Sequence, residues 1–232
     1  MVLRGVVFDL FGTLVEGWGQ QTGARKSAEI AEILGVPPPA FQALMETTYT
    51  LRANGQLGAP AEMMRRLSAM AGVEPPEAAL EQAAVHRMEQ FRAVLQEPRP
   101  GVTALLKELR ERNFRIGLIS DCSGETPLIW AQLQWSMPIA AAVFSWCEGV
   151  RKPNLLLYQR VSELLQLAPS ECLYVGDGGS QELSGAERSG MRACRLLAPR
   201  PDGETLLQYD PDPQWSGKTV SSLSEILPLL ED

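Results

Sequence analysis

The chain opens with an apolar run over residues 2–8 that ends in Asp9 and a Gly-containing turn, Asp9-Leu10-Phe11-Gly12-Thr13. A short apolar run closed by turn residues predicts a buried strand. After Val15 the spacing turns helical. Ala28, Ile30, Ala31, Ile33 and Leu34 share one side, Gly35 stops the helix, and Pro37, Pro38 and Pro39 mark a break. Further helices are predicted over 41–53, 59–71 and 77–95, and the breakers Pro98, Pro100 and Gly101 end this helical stretch. A helix over 102–112 then leads into strands at 115–119, 141–144, 172–175 and 192–196 that alternate with helices. Such alternation predicts an α/β fold: a parallel sheet with helices on both faces and right-handed crossovers. The stretch 198–218, rich in Pro, Asp and Gly, reads as surface loop before a last strand and a helix over 221–230. The division expected is a core of residues 1–15 and 97–232 with an all-helical insert, 16–96.

At 232 residues the chain is long enough for one large α/β domain carrying an insert. Its net charge of −7, without clustered Lys and Arg, argues against a nucleic-acid surface and suits the holding of a cation. Cys122, Cys147, Cys172 and Cys194 lack paired metal-ligand spacing, and neither a secretory leader nor a long apolar run is evident. The expectation is a cytoplasmic protein with reduced thiols and no membrane partner. The single histidine, His86, weighs against zinc and leaves no other histidine for a Ser-His-Asp triad.

Candidate chemistry gathers where strands end. Besides Asp9, the run 116–119 ends in Ser120 and the run 173–175 ends in Gly176-Asp177, with Arg151-Lys152-Pro153 between them. Ligands of open α/β sheets bind at such carboxyl ends, and a carboxylate beside apolar surface must be paired, protonated or metal-bound. Each residue also has a plainer reading: Asp9 capping its turn, Ser120 or Asp177 capping a helix, Lys152 solvated at a helix start.

The four motifs in this order resemble the haloacid dehalogenase superfamily, as does the later Gly185-Ala186 through Gly190-Met191. The resemblance implies a Rossmann-like core with a helical cap inserted after the first motif. It implies Asp9 as the nucleophile, Ser120 as hydrogen-bond donor to the transferring group, and Lys152 as the cation that lets two anions meet. It also implies Mg²⁺, held by Asp9, the Phe11 carbonyl, Asp177 and Glu182. Glu182 stands where the family more often has Asp, and its extra methylene suits an outer ligand acting through water. Substrate contacts are expected from Ser120, Asp121, Lys152 and, in the cap, Arg52, with Arg25, Trp18 and Tyr49 also watched. The implied partner is a small anionic metabolite. Nothing in the sequence specifies an oligomeric state.

Phe11 departs from the pattern. Phosphatases of this superfamily usually place a second Asp two residues after the nucleophile to protonate the leaving oxygen, work worth roughly 10² to 10⁴ in rate. Phe offers three readings: a leaving group needing no acid, a different reaction, or little catalysis. Dehalogenases of the family lack this Asp and generally carry Tyr, so L-2-haloacid dehalogenation is the main alternative. Against it, Asp177 and Glu182 retain the metal-type acid pair, and Asp121 stands where those enzymes usually have Asn near the departing halide, which a carboxylate repels. The expected function is therefore an Mg²⁺-dependent phosphatase working through an aspartyl-phosphate. Dehalogenation comes second and an impaired ligand-binding relative third.

Overall fold

In the computed structural model, which describes residues 2–200, 202–205, 208–213 and 215–231, six parallel strands form one sheet. They are β1 (Gly5–Phe8), β2 (Arg115–Ser120), β3 (Ala141–Phe144), β4 (Cys172–Gly176), β5 (Arg192–Leu196) and β6 (Lys218–Val220), in the order β3-β2-β1-β4-β5-β6. Ten α-helices accompany them among the described residues. Five precede β2's own helix: α1 (Gln20–Leu34), α2 (Pro38–Thr47), α3 (Tyr49–Ala53), α4 (Pro60–Met70) and α5 (Glu77–Gln96). The others are α6 (Val102–Glu111), α7 (Glu125–Trp130), α8 (Ser145–Glu148), α9 (Leu155–Leu165) and α10 (Glu182–Ser189).

The alternation of strand side chains explains why both faces need cover. Val6 and Phe8 point to one face with Leu105, Leu106 and Leu109 of α6. Val7 points to the other, with Leu157, Tyr158 and Val161 of α9 and Leu183 of α10. All four residues of β1 are buried, so the strand reads as a continuous apolar run rather than an alternating one. Its neighbours are β2 on one side and β4 on the other, with Val6 opposite both Ile116 and Leu173. The chain reverses its direction of travel across the sheet at β1, and a crevice opens there beyond the carboxyl ends of the strands. Helices α1, α2, α4 and α5 share a separate apolar cluster built on Ile30, Leu34, Phe41, Met64, Leu67 and Leu80. No helix among the described residues is long and apolar enough to cross a membrane.

Two elements differ from the sequence expectation. The helix expected over 41–53 is broken at Thr48 into α2 and α3. Thr47 Oγ1 donates to the Ala43 carbonyl at 2.8 Å and Thr48 Oγ1 to the Leu44 carbonyl at 2.6 Å, a pair of back-bonds that bends the backbone at their site. The terminal helix is a 3₁₀ segment, Leu223–Leu230, because Pro228 inside it has no N–H for an α-helical bond.

Where β2 meets α9 the fit leaves no room for a side chain at Gly117. A Cβ there would stand 2.8 Å from Val161 Cγ2 and 3.0 Å from Leu165 Cδ1. Gly117→Ala is expected to lower stability by about 1–3 kcal/mol through overpacking, read as a shift of the urea midpoint; an unchanged midpoint would mean that α9 moves freely on the sheet.

Candidate active site

Asp9 leaves β1 as the strand ends, its N–H still bonded to the Val175 carbonyl of β4 at 2.9 Å. That bond aims the carboxylate into the crevice. Its Oδ1 accepts from Lys152 Nζ at 2.6 Å and its Oδ2 from Thr13 Oγ1 at 3.1 Å, four residues along the same turn. Lys152 arrives just ahead of α9, whose first turn is capped by Asn154 Oδ1 accepting from the Leu156 N–H at 3.0 Å. Its side chain is only 3% exposed, so the solvated reading does not hold. Burial works against the Lys152 ammonium, but Asp9 and Glu182 outweigh it and hold its pKa above the ordinary lysine value.

Glu182 opens α10 and is fully buried. Its Oε2 accepts from Lys152 Nζ at 2.5 Å and Tyr174 Oη at 2.8 Å, and its Oε1 accepts from the Gly178 N–H at 2.9 Å. The carboxylate lies directly against the backbone of Gly176, where a Cβ would come within 2.1 Å of Oε1. The motif glycine is thus required by a neighbouring carboxylate, not by its own dihedral angles. Asp177 caps no helix: Oδ1 accepts from the Gly179 N–H at 2.9 Å and Oδ2 from Gln208 Nε2 at 2.9 Å.

Asp9, Asp177 and Glu182 each offer one oxygen, and these three oxygens lie within 4.8 Å of one another. Burial first, and Glu182 second, raise the pKa of Asp9 well above the ordinary value and push that of Asp177 up to about 6. Three carboxylates against one ammonium leave surplus negative charge in a confined space. A hard cation with oxygen ligands at about 2.0–2.1 Å, opposite ligands thus about 4 Å apart, matches both the donor type and the charge. The donor set therefore fits Mg²⁺.

Two cavities meet here. A chamber of about 70 Å³ is lined by Asp9, Phe11, Asp121, Lys152, Asp177 and Glu182, among others. A cavity of about 160 Å³ adjoins it, lined by residues of the helical insert and of the sheet loops, including Trp18, Arg52, Arg87, Phe91 and Ser123. The two share Phe11, Tyr49, Asp121 and Tyr209. Phe11 packs edge-on against Phe91, centroids 6.0 Å apart, and Tyr49 stacks on Tyr209 at 3.6 Å, so aromatic contacts join insert and core on both sides of the passage. A buried ion pair, Arg87 Nε to Glu125 Oε1 at 2.5 Å, crosses the same seam. Despite burial, Arg87 and Ser123 hold the Glu125 carboxyl below its usual range.

Of the residues singled out from the sequence, Asp9, Phe11, Asp121, Lys152, Asp177 and Glu182 line one chamber, while Arg52, Trp18 and Tyr49 line the adjoining cavity. Asp121 Oδ1 accepts from the Lys152 backbone N–H at 2.9 Å, and its buried Oδ2 has no hydrogen-bond partner among the described residues. Ser120 does not line either space; its hydroxyl is buried, likewise without a partner, and it caps no helix. Arg25 is exposed and lines neither. Thr13, Tyr174 and Arg87 went unnoticed in the sequence. Thr13 was legible in its spacing from Asp9, whereas Tyr174 and Arg87 look like ordinary strand and helix residues until the fold brings them to Glu182 and Glu125.

The model of the haloacid dehalogenase-like hydrolases matches residues 3–190. The chain belongs to this family. Among curated relatives, it is 30% identical to a glyceraldehyde 3-phosphate phosphatase of Methanopyrus kandleri over 58% of this chain and 56% of that one. It is 26% identical to hexitol phosphatase A of Escherichia coli over 88% and 87%. The match thus spans only about half the length of the first of these relatives. Two solved structures share the hydrolase fold. One is an L-2-haloacid dehalogenase of Xanthobacter autotrophicus with chloropropionic acid covalently bound, with a TM-score of 0.65, 18% identity and 99% of each chain covered. The other is a family enzyme of Bacteroides thetaiotaomicron in complex with magnesium and inorganic phosphate, with a TM-score of 0.63, 16% identity and 84% and 94% covered.

The family's Gly-Asp pair gives the site its sharpest structural test. Gly176→Ala is expected to drive the Glu182 carboxylate off Gly178 and Lys152, lowering stability by about 1–3 kcal/mol and activity with it, while far-ultraviolet circular dichroism stays unchanged. Wild-type thermal stability in the variant would show that Glu182 has room to move.

Proposed function

We propose that this hydrolase is a Mg²⁺-dependent phosphatase of small phosphorylated metabolites, with Asp9 as nucleophile. The observation that carries the reading is the meeting of Asp9, Asp177 and Glu182 oxygens beside a buried Lys152. A metal-independent dehalogenase has no use for that surplus of negative charge. The relatives named as phosphatases lean the same way.

Asp9 and Asp177 would hold the cation with the Phe11 carbonyl, and Glu182, whose oxygens already accept three hydrogen bonds, would serve as outer ligand. When bound, Mg²⁺ offsets negative charge on the transferring phosphoryl group. Lys152 orients Asp9 and opposes the rise in its pKa, and Thr13 fixes its second oxygen, so that the ionised carboxylate would attack phosphorus through Oδ1 or Oδ2 and an aspartyl-phosphate would form. Water then hydrolyses it.

Phe11 cannot protonate the leaving oxygen, but Asp121 is suited to the task. It lies where chamber and cavity meet, and its Oδ2, 3.9 Å from Arg151 Nη1, accepts no hydrogen bond among the described residues. Burial raises its pKa, with Lys152 and Arg151 opposing the shift only in part. In its protonated form, which burial favours, Asp121 would pass a proton to the departing alkoxide, and the resulting carboxylate would activate water for the second step.

A panel of phosphomonoesters and 2-haloacids, assayed with and without Mg²⁺, tests the reaction: metal-dependent phosphate release is expected. Metal-independent halide release would replace this reading with dehalogenation, and silence across the panel with an impaired ligand-binding relative.

The role of Asp121 has its own signature. In single-turnover measurements of the first step, Asp121→Asn is expected to slow attack on alkyl phosphates by about 10²-fold while sparing attack on aryl phosphates, whose leaving oxygens need little protonation. Because the proton is lost as pH rises through the raised pKa, the fall in wild-type alkyl-phosphate turnover with rising pH should vanish in the variant. Equal losses for both ester types would remove Asp121 from the proton transfer.

A further inference from the structure

Arg52 carries a charge that no carboxylate pairs among the described residues, with the Tyr49 ring centroid 5.8 Å from its guanidinium carbon. Its residue is only 6% exposed, on a short helix of the insert, and it lines the cavity that adjoins the Asp9 chamber. One guanidinium nitrogen, Nη2, donates to the Met45 carbonyl at 2.6 Å. Nε is buried and has no partner. No carboxylate lies within ion-pair distance of it among the described residues. Arg87, in the same cavity wall, is the contrast: it is neutralised by Glu125 at 2.5 Å. Burial and the nearby Arg87 both press the Arg52 pKa downward, as befits an uncompensated cation. Holding a desolvated guanidinium without a counter-ion is costly unless a ligand supplies one.

Resting on the phosphatase reading of Asp9, we propose that Arg52 receives a carboxylate at the far end of the substrate, so that the favoured substrates are short phosphate monoesters bearing one carboxylate.

The chamber and the cavity share Phe11, Tyr49, Asp121 and Tyr209, so one molecule passing between them reaches both Asp9 and Arg52. The cavity measures about 160 Å³, which restricts that molecule to a short chain. Charge decides between anions. A carboxylate carries one unit and matches one guanidinium, whose planar fork accommodates two oxygens. A second phosphate would leave surplus charge against Phe11, Trp18, Met45 and Phe91. Gln42 and Ser27 in the same wall suit a hydroxyl on the connecting carbons.

The test compares ester pairs differing only in the carboxylate, phosphoglycolate against ethyl phosphate and 3-phosphoglycerate against glycerol 3-phosphate, with the full chain and Mg²⁺. Wild type is expected to favour the carboxylate member by about 10- to 100-fold in kcat/KM, the range of a charged hydrogen bond. Arg52→Gln should collapse that ratio toward one, chiefly through KM, and Arg52→Lys should restore part of it. Calorimetry with phosphonoacetate and ethylphosphonate gives a second reading without turnover, in which the preference for phosphonoacetate should be lost in Arg52→Gln. This arm stands even if no ester is hydrolysed, so failure of the phosphatase reading and failure of the Arg52 assignment are told apart. A wild-type ratio near one, or the same ratio in a folded Arg52→Gln protein, overturns the assignment. If Arg52→Gln does not fold, Arg52→Lys decides, because it retains the charge without the fork and an unchanged ratio there overturns the carboxylate geometry.

Discussion

The Lys152 ammonium is the group around which the rest of the site is arranged, since it touches Asp9 at 2.6 Å and Glu182 at 2.5 Å and is almost wholly buried. Removing one partner from such a cluster leaves an uncompensated charge in a low-dielectric interior, at a cost of about 3–5 kcal/mol. Three separate segments of the fold must therefore arrive together. β1 supplies Asp9, the segment before α9 supplies the ammonium, and the start of α10 supplies Glu182. The parallel sheet makes this possible because the ends of β1 and β4 are neighbours, and both open onto the same crevice. Glu in place of a shorter acid also has a consequence here: its carboxylate reaches across Gly176 to touch Lys152, Tyr174 and the Gly178 N–H at once.

That cluster fixes one end of a passage, and aromatic contacts fix the other. Phe11 lies between the nucleophile turn and Phe91 of α5, and Trp18 meets the same Phe91 ring at 4.7 Å. On this turn Phe11 has a packing role, joining the sheet to the helical insert. The Arg87–Glu125 pair and the Tyr49–Tyr209 stack reinforce the same joint with opposite kinds of force, one electrostatic and buried, the other apolar. A cavity bounded by such contacts opens only when several are broken together, a property suited to a lid that must exclude water during phosphoryl transfer.

Much of the fold was legible because both signals are local. Strand runs such as 173–175 are bounded by turn residues, and the helical insert has breakers at both ends. The residues lining the chamber were legible for a different reason: Asp9 ends an apolar strand before a Gly-containing turn, Lys152 precedes Pro153 and Asp177 stands between Gly176 and Gly178, places where a polar group is conspicuous. The break at Thr48 was not, because two threonines bonding back to their own helix carry no signature that distinguishes them from threonines facing solvent. Arg87 was equally silent. Its significance comes from Glu125, 38 positions away, and a charged residue on a predicted helix ordinarily means a solvated face.

In the proposed reaction, Asp121 takes the proton transfer that Phe11 cannot perform. On the nucleophile turn, an acid shares its backbone segment with the group that attacks, so the two move as a unit. An acid at the end of β2 is held instead by the Lys152 backbone N–H, the very segment whose side chain orients Asp9. The proposed nucleophile and the proposed proton donor are thus tied to opposite ends of one residue. A displacement of Lys152 would disturb both, while a change in the packing of Phe11 would disturb neither directly. The turn is then free to carry an aromatic ring at the border of the charged chamber and the cavity in which Arg52 stands. Apolar walls of this kind sharpen discrimination by a guanidinium, because its attraction for an anion grows as water is excluded from around it.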